Sequence, residues 1–184
     1  MLNAADLGRY IDERLTRSAF RLELLDAYEV EADGEDFARY LRGERNPTVE
    51  RKQPWLDRLR REHEAGILNQ RVHILSTPLT DYLRYECEWG YGPNVAAGED
   101  VRILDLTEHP ALEGIIDHDF WLIDNRHAIR MHYDDAGRFL GAEPVDDDQL
   151  ACYQHARQAA LAASEPFTSW WARHPEEHRF QQVG

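Results

Sequence analysis

Lysine is almost missing from this chain: Lys52 is the only one, beside twenty arginines. The 21 basic residues face 35 acidic ones, for a formal net charge of -14. Binding a bare phosphate backbone depends on Lys and Arg that displace condensed counterions, so direct nucleic-acid binding is not expected. The local basic runs, Arg51-Lys52 and Arg58-Leu-Arg-Arg61, are interleaved with Glu50, Asp57, Glu62 and Glu64 and read as a solvated helix face. The charge alone also admits an acidic mimic of nucleic acid that occupies a basic partner.

Cysteine is scarce as well. Cys87 and Cys152 are far apart, each in a predicted helix among apolar or aromatic neighbours, which excludes a disulfide framework and reads as two buried free thiols. No apolar run approaches the roughly 20 residues of a membrane span. The start, Met1-Leu-Asn-Ala-Ala-Asp-Leu, has neither a basic region nor an apolar one of signal type, so a cytoplasmic location without membrane contact is expected. Absent too are a Gly-x-Ser-x-Gly elbow, a phosphate loop and a His-x-x-x-His pair with Glu between. No cofactor and no metal are expected; His174 and His178 are four apart, but in a tail that reads as too loose to hold an ion unaided.

What is present is 42% hydrophobic residues in 184, enough for one full core and too few for two comfortable ones. Leu7, Ile11 and Leu15 recur at steps of four, predicting an amphipathic helix within residues 1–17. Ala19-Phe-Arg-Leu-Glu-Leu-Leu25 alternates as a strand with one wet face. Asp33-Gly34 marks a turn, 35–41 a helix closed by Gly43, and 44–53 an exposed connection. Pro54 is expected at the first position of the next helix, which Gly66 closes. Strands follow at 71–76, 101–106, 120–124, 128–133 and 138–142. Between the first two lies a helix from Leu79, with Ser76 or Thr77 as its cap and Trp89-Gly-Tyr-Gly-Pro93 as its end; Pro110 and Gly114 fall in the connection after the second. The short turns between 120 and 145 predict an antiparallel meander. Asp146-Asp-Asp148 begins an Ala-rich helix to Ala163, and Pro166 precedes an aromatic end piece. The expectation is an α+β class in a single domain, residues 18–173, with a frayed tail at 174–184.

The strand period of two places Arg71 with His73, and Arg130 with His132, each pair on the wet side of its strand. One polar sheet face bearing all four is therefore expected, bordered by Arg84, Glu99, Arg102, Trp121 and Asp124. Arg forks onto carboxylate or phosphate, and His exchanges protons near neutrality.

Three blocks together carry a family resemblance: Arg71-Val-His-Ile-Leu-Ser-Thr-Pro-Leu-Thr-Asp-Tyr-Leu-Arg-Tyr-Glu86, Asn94-Val-Ala-Ala-Gly-Glu-Asp-Val-Arg102, and Asp119-Phe-Trp-Leu-Ile-Asp124 with Met131-His-Tyr-Asp-Asp-Ala-Gly137. Over residues 18–163 the chain resembles an uncharacterised actinobacterial family, catalogued as a domain of unknown function. The resemblance implies a small cytoplasmic companion of helix-turn-helix regulators, with no catalytic residues assigned. The element order also resembles half of a phospholipase D-like domain, whose His-x-Lys pattern is absent here.

The functional expectation is a non-enzymatic accessory protein that binds a protein partner, such as a helix-turn-helix regulator, or a small anionic ligand through that polar face. The alternative is a small hydrolase or group-transfer enzyme, in which His73 or His132, with Asp124, supplies acid-base chemistry and the arginines hold an anionic substrate. The sequence does not reveal the oligomeric state.

Overall fold

The computed structural model describes residues 1–30, 34–109 and 113–180. Its strands are β1 (Ser18–Glu23), β2 (Leu68–Leu75), β3 (Asp100–Asp105), β4 (Phe120–Ile123), β5 (His127–Tyr133), β6 (Phe139–Pro144) and β7 (Glu165–Pro166). They form one mixed sheet in the order β6-β5-β4-β1-β2-β3-β7. Pairing of β1 with β2 and of β2 with β3 is parallel, and every other pairing is antiparallel. The class is α+β, as the pattern of short turns predicted. The turn at Asp33, Pro110 in the connection before β4, and the tail past Phe180 lie outside the described residues.

Alternation along the strands creates two unlike faces. Phe20, Leu22, Val72, Ile74, Leu104, Phe120 and Leu122 point to one face, under helix α6 (Leu150–Ala163). Ala156 and Ala160, four apart, let that helix lie close to the sheet, and Tyr153 fills the space beside Phe120. On the opposite face, Leu7 and Ile11 of α1 (Ala4–Asp12) pack on Ala19, Ile123, Ile129 and Met131. The predicted N-terminal helix is thus docked on the domain. At the far end of the same face, Leu75, Val101 and Ile103 meet Leu83 of α4 (Asp81–Tyr85) and Trp170 of α7 (Phe167–Arg173).

Several local expectations are corrected. Helix α3 runs Val49–Glu64, so Pro54 lies inside it. The earlier start has a tertiary cause: Asp36 in α2 (Gly34–Leu41) accepts hydrogen bonds from the Thr48 amide at 3.0 Å and its hydroxyl at 2.7 Å, fixing the residue before the helix. Thr80, rather than Ser76 or Thr77, caps α4 by accepting from the Leu83 amide. The chain does not stop at Trp89-Pro93: it widens into a π-helical stretch at Glu86–Tyr91 and continues as α5 (Gly92–Ala96), with Pro93 just past the junction of the two. Cys87 is buried, but Cys152 is exposed, because it lies on the outer side of α6. Residues 174–180 are not frayed. His174 and Glu177 are buried, Glu177 accepts from the Leu79 amide at 3.1 Å, and Glu88 accepts from the Arg179 amide at 2.8 Å. Among the described residues no helix is long and apolar enough to cross a membrane.

The β4–β5 hairpin turns on Asp124 and Asn125, both with positive φ (51° and 55°), as the primed two-residue turns demand. The Asp124 carboxylate reaches back to the start of β1 and accepts from the amides of Thr16, Arg17 and Ser18, and from the Thr16 hydroxyl. Burial opposes its charge, but these donors outweigh it and hold the carboxyl at about 2. We expect Asp124→Ala to lower the unfolding free energy by about 2 kcal/mol at pH 7, measured by urea denaturation. Because the folded value lies below 3.8, the wild-type advantage is present at neutral pH and fades as pH falls from 3.8 through about 2. Equal stability of the two proteins at pH 7 would show that water serves those amides as well as the carboxylate does.

Candidate functional site

The register sets Arg21 directly opposite Arg71, and Glu23 directly opposite His73. All four therefore emerge on the α1 side of the sheet, beside Trp121 across from Arg21. Two guanidinium groups facing each other on adjacent strands repel. Glu23 resolves this by pairing with both: Arg21 Nη2 lies 2.9 Å from Oε1 as an ion pair, and Arg71 Nη1 donates to Oε1 and Oε2 at 3.2 and 3.0 Å. Arg71 Nε then donates to Glu99 at 3.1 Å, and Asn94 of α5 donates to the other Glu99 oxygen at 2.8 Å. Glu23 is 3% exposed and Arg71 6%, so this chain of charges is sealed from water. Burial pushes the Glu23 carboxyl up, but Arg21 and Arg71 overcome it and hold it down at about 2.

His73 is 0% exposed. Its Nε2–H donates to the Leu25 carbonyl at 3.1 Å, which leaves Nδ1 to accept from the Tyr91 hydroxyl. Burial lowers its pKa, so the ring is neutral with both nitrogens used. It fills a structural position.

The expected single polar face is corrected by the same register. Ile129, Met131 and Tyr133 of β5 share the face of Arg71, whereas Arg130 pairs with Phe120 and projects with His132 toward the α6 side. Arg71 does share a side of its strand with His73, and Arg130 with His132, but the two pairs lie on opposite faces of the sheet, and Arg71 and His73 are buried rather than wet. Asp124 belongs to the opposite end of β1 and β4, so the three residues named for acid-base work do not meet. Arg102 also faces α6, donating to the Ser164 carbonyl at 2.6 Å, and Arg84 pairs with Glu177 at 2.7 Å. Arg130 and His132 line an open polar cleft of about 560 Å³ past the end of β1, with His118 and Asp119. Asp119 ties that end together, accepting from the Leu24 amide at 2.9 Å and the Tyr28 hydroxyl at 2.6 Å.

The polar centre opens at Arg21. There a groove of about 350 Å³ runs between α1, α3 and the sheet, walled by Leu7, Ile11, Trp55, Trp121, Met131, Tyr133 and Phe139. Its size and mainly apolar wall are those of a small-molecule site. Arg21 lines it, with the guanidinium 5.3 Å from the Trp121 ring centre and 6.0 Å from that of Tyr28. The Arg21 Nε is buried and has no hydrogen-bond partner among the described residues. Other polar groups in the groove are already matched: Glu62 accepts from Arg58 at 2.7 Å and from Asn69 at 2.8 Å. Arg21 and Glu23 were legible as strand residues but not as site residues, because their strand's alternation reads as a wet face. The signal that marks them is an Arg-x-Glu strand running parallel to an Arg-x-His strand.

Asp119 supplies a measurable signature of this end of the sheet. Burial raises its carboxyl, and despite the bond from Tyr28 its pKa stands at about 6. A folded value above the unfolded 3.8 means that stability from Asp119 is complete below 3.8 and lost as pH rises through 6. Between pH 7.5 and pH 5 we expect the wild type to gain about 1 kcal/mol relative to Asp119→Asn, measured by urea denaturation. A constant difference across that range would place the carboxyl in water.

None of the curated proteins matches the sequence. The family model described as a domain of unknown function, DUF6879, matches residues 5–172, which takes in the groove, the buried charges and every strand of the sheet. This chain belongs to the DUF6879 family.

Proposed function

We propose that this protein is a non-enzymatic binding module for a small molecule with an apolar, preferably aromatic, body and one anionic group. The body lies between α1, α3 and the sheet, against Trp55, Trp121 and Phe139. The anionic group meets Arg21. The observation that supports this reading is Arg21, a cationic side chain about one-fifth exposed in the lining of a mainly apolar groove. A charge-assisted bond from the exposed part of the guanidinium to a carboxylate or phosphate is stronger than one to a neutral acceptor. Burial opposes the charge of Arg21, but Glu23 outweighs it and keeps the side chain cationic.

The anionic ligand expected of the polar sheet face is thus moved to a neighbouring arginine. An accessory role in regulation belongs to the same proposal: groove occupancy changes how the surface of α1 and α3 presents itself to a protein partner, such as a helix-turn-helix regulator, in the cytoplasm. Both helices form the groove's outer wall, which is what supports that link.

Calorimetric titration with 2-naphthoate and its uncharged analogue 2-naphthylmethanol tests the reading. We expect the carboxylate to bind at least about tenfold more tightly than the alcohol, and Arg21→Met to abolish that preference while leaving the alcohol unaffected. Equal affinities in the wild type, or a preference that survives Arg21→Met, would refute the reading.

A further inference from the structure

We propose that Asp105, Glu108 and His174 form a divalent-cation site that fastens the C-terminal segment to the end of β3. One ligand atom from each lies within 4.8 Å of the other two. Two carboxylates and one imidazole are a donor set suited to Zn²⁺ and its first-row neighbours.

The argument rests on the orientation of His174. Its Nδ1 lies 2.8 Å from the Trp170 carbonyl, an acceptor, so Nδ1 carries the proton and Nε2 presents a lone pair. That lone pair faces Glu108 Oε1 at 3.3 Å, another acceptor. Two acceptors at this separation require a cation or a proton between them. With bonds of about 2.0–2.1 Å, the edge of a tetrahedron of ligands around zinc is about 3.3–3.4 Å, which is the spacing of His174 and Glu108, with the Asp105 oxygen within 4.8 Å of both. An Nδ1–H directed at a backbone carbonyl is also the usual way in which a metal-binding histidine is oriented.

Asp105 is a second, independent observation. It is 2% exposed and forms no ion pair among the described residues, although a buried carboxylate is costly without a counter-charge. Among the described residues it accepts from two neutral donors, the Thr107 amide at 2.8 Å and the Trp170 indole at 3.3 Å. Trp170 therefore positions two of the three ligands: its indole holds Asp105, its carbonyl holds His174, and its ring stacks on the imidazole at 4.4 Å. His174 itself is 8% exposed. The tail position that reads from the sequence as too loose for an ion is held on three sides.

Arg173 is the competing cation. It grips both Glu108 oxygens, at 3.1 and 2.9 Å, and also bonds Glu165. Each carboxylate oxygen has a second acceptor direction, so Arg173 can stay in place while Oε1 turns its other lone pair to the ion.

The test is a titration of chelator-stripped full-length protein with Co²⁺ and with Zn²⁺, read by the visible absorption of bound Co²⁺, by calorimetry and by thermal unfolding. We expect one equivalent to bind, to raise the melting temperature, and to be displaced by Zn²⁺. His174→Gln and Glu108→Gln are each expected to weaken binding by about tenfold or more, with the far-ultraviolet circular dichroism unchanged. The first removes a ligand without burying a charge, and the second keeps the test open if the first fails to fold. An imidazolium–carboxylate pair only, seen as no equimolar Co²⁺ binding and a melting temperature indifferent to Zn²⁺, would overturn the proposal. So would binding that both variants retain, which would assign the ion to other histidines.

Discussion

Two arginines that face each other across parallel strands are the constraint around which this sheet is organised. Arg21 and Arg71 occupy directly opposed positions on one face, and left alone they would drive β1 and β2 apart. Glu23 lies diagonal to one and two residues from the other, and it forms an ion pair with both. Removing either class of charge leaves the other buried without compensation, at a cost of about 3–5 kcal/mol. The two strands are therefore coupled by their side chains as well as by the backbone ladder.

The network also explains how the face is divided. Arg71 is consumed by Glu23 and Glu99 and is covered by α5 and the π-helical stretch, with Tyr91 beside it. Arg21 shares Glu23 but lies toward α1, where no further carboxylate among the described residues pairs with it. The same cluster thus has a closed half, sealed by α5 and the π-helical stretch, and an open half, which borders the groove. The aromatic residues follow that division. Tyr28, Tyr40, Tyr82, Tyr85 and Trp89 form a packed cluster beyond the closed half, and Trp55 and Trp121 wall the open one.

Strand positions were legible because their alternation is a local property. The parity of Arg130 with His132, and of Arg71 with His73, was correct for the same reason. Which face each pair takes is not local: it depends on Trp121 lying between Arg21 and Ile129, two pairings that no single strand encodes. Arg21 and Glu23 read as a wet edge because charge normally seeks water. Their burial follows from helices that arrive much later in the chain. The ordered tail has a similar origin, since His174, Glu177 and Arg179 are fixed by Trp170, Leu79 and Glu88 rather than by their own neighbours. Pro54 inside α3 reflects the hold of Asp36 on Thr48, again a contact between separate elements.

The most direct test of the central claim is a double-mutant cycle on Glu23→Gln and Arg71→Met, with unfolding free energies from urea denaturation at pH 7. Each single change is expected to destabilise strongly, and the pair to destabilise by less than the sum, with a coupling of about 1.5–3 kcal/mol. Additivity to within about 0.3 kcal/mol would mean that the two side chains do not depend on each other, and would contradict this account of the sheet.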